Sequence, residues 1–77
     1  MGVASVVVKV MDQVILCCEW EIDNIKEEFD GAKTIYNTTG DELTIPAHAT
    51  EEIVPGDEHE ECYLWKFNNI EVYVEFF

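Results

Sequence analysis

The sequence predicts a mainly β, single-domain protein over residues 1–77: an antiparallel sheet of about five or six strands made from three hairpins, curved into a barrel- or sandwich-like shape, with one short helix near residues 25–30 as its minor α component. Three observations lead there. Apolar residues alternate at period two near both ends of the chain. Turn-forming residues separate the alternating runs. Large aromatic and β-branched side chains are plentiful enough for a core, at 48% apolar content, despite a heavy negative charge.

The first hairpin is read from residues 3–23. Val6, Val8 and Val10 share one face, and so do Val14, Leu16, Cys18, Trp20 and Ile22, while Glu19, Glu21 and Asp23 fall on the other. A three-residue loop, Met11 to Gln13, sets Val10 against Val14, Val8 against Leu16 and Val6 against Cys18, keeping the apolar faces together. Asn24-Ile25-Lys26-Glu27 has the form of a capping box. With Ile25 and Phe29 four apart and Gly31 as the closing residue, it predicts the short helix.

A second hairpin is expected between Ala32–Thr39 and Glu42–Ala47, around a type II′ turn at Gly40-Asp41. That register sets Tyr36 against Ile45 and Thr38 against Leu43. Pro46 has no N–H, so its strand ends there or lies at an edge. Residues 48–61 are the least regular, with Glu52–Val54 extended and a solvated acidic loop after the Pro55-Gly56-Asp57 turn.

The last hairpin has the clearest signal. A two-residue type I′ turn at Asn68-Asn69 pairs Phe67 with Ile70, Trp65 with Val72 and Tyr63 with Val74. On the opposite face it pairs Lys66 with Glu71 and Leu64 with Tyr73. Aromatic against β-branched and Lys against Glu are stabilising cross-strand pairs, and both faces agree on one register.

The charge bounds the function. Seventeen carboxylates stand against four lysines and no arginine, for a net charge of −13. Nucleic acid and anionic membrane are bound through Lys and Arg, so neither is expected as a direct ligand. Basic surfaces are attracted instead. Three cysteines, two of them adjacent, make a poor disulfide framework, so reduced thiols in a cytoplasmic setting (a host cytoplasm, for a viral product) are expected. The apolar N-terminal run lacks the basic start of a secretory signal, and the Asn37-Thr38-Thr39 sequon carries no weight without one.

No enzyme motif emerges. The spacing of Cys62, His59 and His48 suggests no activated nucleophile, because acidic neighbours raise a thiol's pKa. Carboxylate pairs are too numerous to single out an acid–base couple, and no phosphate-binding glycine loop is present. No cofactor and no metal centre is expected, although His59 among Asp57, Glu58, Glu60 and Glu61 supports an alternative as a divalent-metal binder.

The expected site is therefore a partner-binding acidic surface: Glu19, Glu21 and Asp23 on the second strand, Glu27 and Glu28 in the helix, Asp57, Glu58, Glu60 and Glu61 in the loop, and Glu71, Tyr73 and Glu75 on the last strand. Carboxylates on alternate strand positions repeat every ~6.6–6.8 Å, close to the phosphate spacing along one DNA strand. In size and charge the chain is similar to small acidic phage proteins that mimic nucleic acid and block restriction, CRISPR or repair proteins. That likeness implies an inhibitor or modulator of a basic, nucleic-acid-binding protein. The alternative is a small β assembly subunit, with homodimers compatible with either reading.

Overall fold

The computed structural model describes residues 2–77. The chain is all β: β1 (Val3–Val10), β2 (Gln13–Glu27), β3 (Lys33–Asn37), β4 (Glu42–Ile45), β5 (Thr50–Val54), β6 (Cys62–Phe67) and β7 (Ile70–Phe76). All neighbours are antiparallel, in the order β4-β3-β2-β1-β7-β6-β5. The mainly β, antiparallel expectation holds, with seven strands rather than five or six.

The link from β4 to β5 shapes the sheet. These strands form its opposite edges, yet only residues 46–49 join them. A flat seven-stranded sheet is about 29 Å from edge to edge, at about 4.8 Å per strand. The five Cα–Cα steps from Ile45 to Thr50 reach about 18 Å at most. The sheet must curl, and it does: Lys33 of β3 bonds Glu51 of β5 at 3.2 Å, and Trp65 Nε1 donates to the same carboxylate at 3.0 Å. The result is an open, unclosed trough. Its concave side holds the core of Ala4, Val6, Val8, Ile22, Ile35, Ile45, Trp65, Val72 and Val74.

The expected helix at residues 25–30 is absent. β2 runs through that segment to Glu27, with Ile25 opposite Ile35 and Glu27 opposite Lys33. A two-turn helix carries the full nucleation cost for few hydrogen bonds, whereas the strand gains a complete ladder against β3. The period-two signal is hidden because the β2–β3 ladder is interrupted between Ile22 and Asn24, leaving Asp23 as an extra residue. The alternation reverses there, so Ile22 and Ile25 both face the trough.

Gly31 does take the left-handed conformation expected of it (φ 95°), but in a turn. Gly31 N donates to Glu28 O at 3.0 Å, and Glu28 N donates to Ala32 O at 2.7 Å. That is a three-residue loop, Phe29-Asp30-Gly31, ending in a left-handed glycine. The β3–β4 connection repeats it. Asn37 N donates to Asp41 O, Gly40 N donates to Asn37 O, and Gly40 has φ 93°. Asn37 Oδ1 accepts from Thr39 N, Thr39 Oγ1 and Asp41 N.

The second hairpin therefore differs from the expected one. Tyr36 faces Glu42 and Ile35 faces Leu43, three residues away in register from a two-residue turn at Gly40-Asp41. Replacing Gly40 by valine forces a β-branched residue into positive φ. We expect a loss of about 1–2 kcal/mol, measured by urea denaturation.

The first hairpin keeps its predicted body, with Val8 opposite Leu16 and Val6 opposite Cys18, but not its turn. Met11 and Asp12 both have positive φ and form a two-residue loop, and the β1–β2 register then shifts by one at Ile15. The last hairpin shows every predicted pair, with Asn68 and Asn69 at φ 49° and 64°. β4 ends before Pro46 at a sheet edge, and Glu52–Val54 lie in β5.

Candidate acidic interaction face

The convex face is organised by β1. Ser5 lies opposite Glu19 on one side and Glu75 on the other, so these three side chains share one row. The next row contains Cys17, Val7, Tyr73 and Leu64, and the one beyond it contains Lys9, Glu71 and Lys66. Glu21 stands opposite Val3, also on this side.

Glu75 is the best-held side chain on the face, only 4% exposed. Gly56 N donates to His59 O at 2.9 Å, closing residues 56–59 into a turn. Three successive N–H groups then converge on Glu75. Asp57 N donates to Oε1 at 2.8 Å, while Glu58 N and His59 N donate to Oε2 at 3.0 Å. The His59 ring donates from Nδ1 to Oε2 at 2.9 Å and packs edge-on against Phe77.

This is a backbone nest for an anion, filled by the chain's own carboxylate. Foremost through the His59 hydrogen bond, and also through those of the three amides, the Glu75 pKa drops to about 2. Gly56 permits the approach, since a Cβ there would overlap the Glu75 carboxyl group.

The acidic loop is therefore pinned by its backbone, while Asp57, Glu58, Glu60 and Glu61 remain exposed. Cys62 and Leu64 of β6 are buried, and Asp57 lines a hollow with Cys62, Tyr73 and Glu75. The loop is also carried next to the β2 acid: Glu75 and Glu19 are two strand spacings apart across Ser5, about 10 Å. The structure thus brings the start of the loop, with exposed Asp57 and Glu58, to the side that carries the exposed Glu19 and Glu21, while Glu60 and Glu61 line a hollow with Tyr63 and Phe76 towards the trough side.

Other expected site residues are placed elsewhere. Asp23 is exposed at the irregularity. Glu27, beyond the phase reversal, turns to the trough mouth beside Lys33, and Glu28 pairs with Lys26 at 3.8 Å. Glu71 lies between Lys9 and Lys66 in register and accepts from Tyr73 Oη at 3.3 Å. Burial, then the Glu71 charge, pushes the Tyr73 phenol up. Because Glu71 has cationic neighbours and Glu75 is buried, β7 does not supply the second free acidic row expected from its alternation; the loop supplies that acid instead.

The lysines are spent elsewhere. Lys33 pairs with Glu51 and Lys66 with Glu52, and Lys9 lies over the Tyr73 ring at 5.2 Å. Among the described residues, no ion pair includes Glu19, Glu21, Asp57, Glu58, Glu60 or Glu61. The Lys33 and then the Trp65 hydrogen bond lower the pKa of Glu51.

The three cysteines are free. Burial, followed by the Glu75 charge, raises the pKa of Cys62, and the His59 ring is engaged by Glu75 rather than by the thiol. Among the described residues, no three His, Cys, Asp or Glu side chains converge as a metal site, and no helix is long and apolar enough to cross a membrane. Several large apolar residues lie on the surface: Met11, Val14 and Ile15 beside the first turn, and Phe29, fully exposed at the β2–β3 tip. Their alternation and spacing resemble those of core residues. Comparison with known proteins gives no match to a family model, a curated protein or a solved structure.

Proposed function

We propose that this protein binds and modulates a basic protein by occupying a surface that otherwise holds nucleic acid. The observation that carries the reading is the pinning of the Asp57–Glu61 loop by Glu75. It carries the exposed Asp57 and Glu58 to the side of Glu19 and Glu21, and none of these four forms an ion pair with a lysine among the described residues. A predominantly acidic, partly rigid patch of this kind complements the Lys/Arg-lined groove of a nucleic-acid enzyme and speeds encounter with it. The protein acts by covering that groove and carries out no chemistry of its own. In this reading it works in the cytoplasm, as an inhibitor of the nucleic-acid-mimic type.

The test is capture of partners from a cytosolic extract at low salt, with wild-type protein and with the quadruple variant Glu19→Gln, Glu21→Gln, Asp57→Asn, Glu58→Gln. All four side chains are exposed, so the fold should survive. The expected outcome is retention of a basic nucleic-acid-binding protein, released by salt, with the variant weaker by about tenfold or more. Equal capture by wild type and variant would remove this face from the account.

A further inference from the structure

We infer that two copies of this chain pair through the open edge of β2, across a two-fold axis that places Cys17 of one copy opposite Cys17 of the other. This goes beyond the acidic-face reading and stands on the open backbone edge and apolar side chains of β2 rather than on the acid. β3 joins β2 only from Ile22 onward, so among the described residues no strand pairs with the outer edge of its first half.

The direction of the free backbone groups follows from two bonds. Ile22 N donates to Gly2 O on the β1 side, and Glu21 O accepts from Thr38 N on the β3 side. The β1–β2 register is unbroken from Leu16 to Glu21, so the amides and carbonyls of Cys17 and Glu19 point, like that of Glu21, to the outer edge. An unpaired row of this kind beside apolar side chains is a template for another strand. Val14 and Ile15 are 56% and 63% exposed, Cys17 is exposed, and Leu16, Cys18 and Trp20 on the trough side are only half-buried.

Charge selects a second copy as the occupant. The segment Gln13–Cys18 carries no charge, so it offers a basic partner nothing to read. Two chains of −13 each can approach only where carboxylates do not oppose one another. In the Cys17–Cys17 register, Leu16 lies against Cys18 and Glu19 against apolar Ile15, so no acid faces acid where the edge is regular. An antiparallel edge is self-complementary about a two-fold axis, so one contact satisfies both copies. The convex faces of the two copies then lie on the same side of a continuous sheet.

The test combines sedimentation with thiol cross-linking by a short bis-maleimide. A dimer is expected that strengthens as salt rises, because screening relieves the repulsion between copies. Cross-linking should persist in Cys18→Ser and vanish in Cys17→Ser. Ile15→Glu, which sets a carboxylate against Glu19, should raise the dimer Kd by about tenfold or more. Ile53→Glu, the same charge change on exposed Ile53 of the β5 edge, should leave it unchanged. A monomer at all salt concentrations, cross-linking through Cys18 or Cys62 in Cys17→Ser, or equal weakening by both glutamate variants would overturn the inference.

Discussion

Replacing Glu75 by glutamine should release residues 55–61 from the sheet without unfolding the strands. The carboxylate accepts three backbone N–H groups and the His59 ring. A glutamine has one acceptor oxygen, and its NH2 group must meet at least one of those donors, whichever way the amide turns. The charge assistance is lost as well. Amide exchange at Asp57, Glu58 and His59 should accelerate strongly, while the β1–β7 ladder keeps its protection.

The pH dependence has a definite sign. Glu75 has a pKa of about 2 in the folded chain against an ordinary 4.5, so its contribution is complete above about pH 5 and is lost as the pH falls from about 4.5 towards 2. The melting-temperature gap between wild type and Glu75→Gln should therefore be widest near neutrality and close over that acid range. A constant gap from neutral pH down to pH 2 would show that the carboxylate charge does not hold the loop.

Trp65→Ala should be the most damaging substitution in the core. Trp65 is buried, stacks with Tyr63 at 5.7 Å between ring centroids, donates to Glu51 and lies under Lys33 Nζ at 5.8 Å. It therefore fills the trough and ties β6 to the β5 and β3 side chains that draw the sheet into a curve. Truncating a buried tryptophan costs about 3–5 kcal/mol. A chain of this size has a total stability of only about 4–12 kcal/mol. Urea denaturation should show the variant largely or partly unfolded at 25 °C, whereas Trp65→Phe, which keeps most of the ring and loses the bond to Glu51, should remain folded. Near-equal stability of Trp65→Ala and wild type would mean that the curl rests on other contacts.

Local alternation carries information as far as it stays unbroken. The Tyr63–Phe76 hairpin was readable in full, since both faces and the Asn-Asn turn agree and nothing interrupts the ladder. β2 was readable up to Ile22. Beyond it, the extra residue at Asp23 reversed the phase, and a local capping pattern then favoured a helix that the β3 ladder outcompetes. The β3–β4 register slipped because Gly40 fits either the first position of a two-residue turn or the third position of a three-residue loop. Asn37, which accepts three hydrogen bonds around that loop, decides between them.

The candidate face was half legible. Exposed glutamates at alternate positions of β2 follow from the pattern. Glu71 and Glu75 look identical to it, yet one lies between lysines and the other is buried in a nest made 16–18 residues away along the chain. Only the fold brings the acidic loop over β7. That placement replaces two parallel acidic rows with one row and a pinned loop.

The most direct test of the proposed function is a competition on the captured basic partner, with duplex or single-stranded nucleic acid titrated against the bound complex. Occupation of the nucleic-acid surface predicts mutual exclusion, with wild-type protein displacing nucleic acid and the Glu19/Glu21/Asp57/Glu58 neutralised variant failing to do so. A stable ternary complex, in which the partner holds nucleic acid and this protein together, would contradict it.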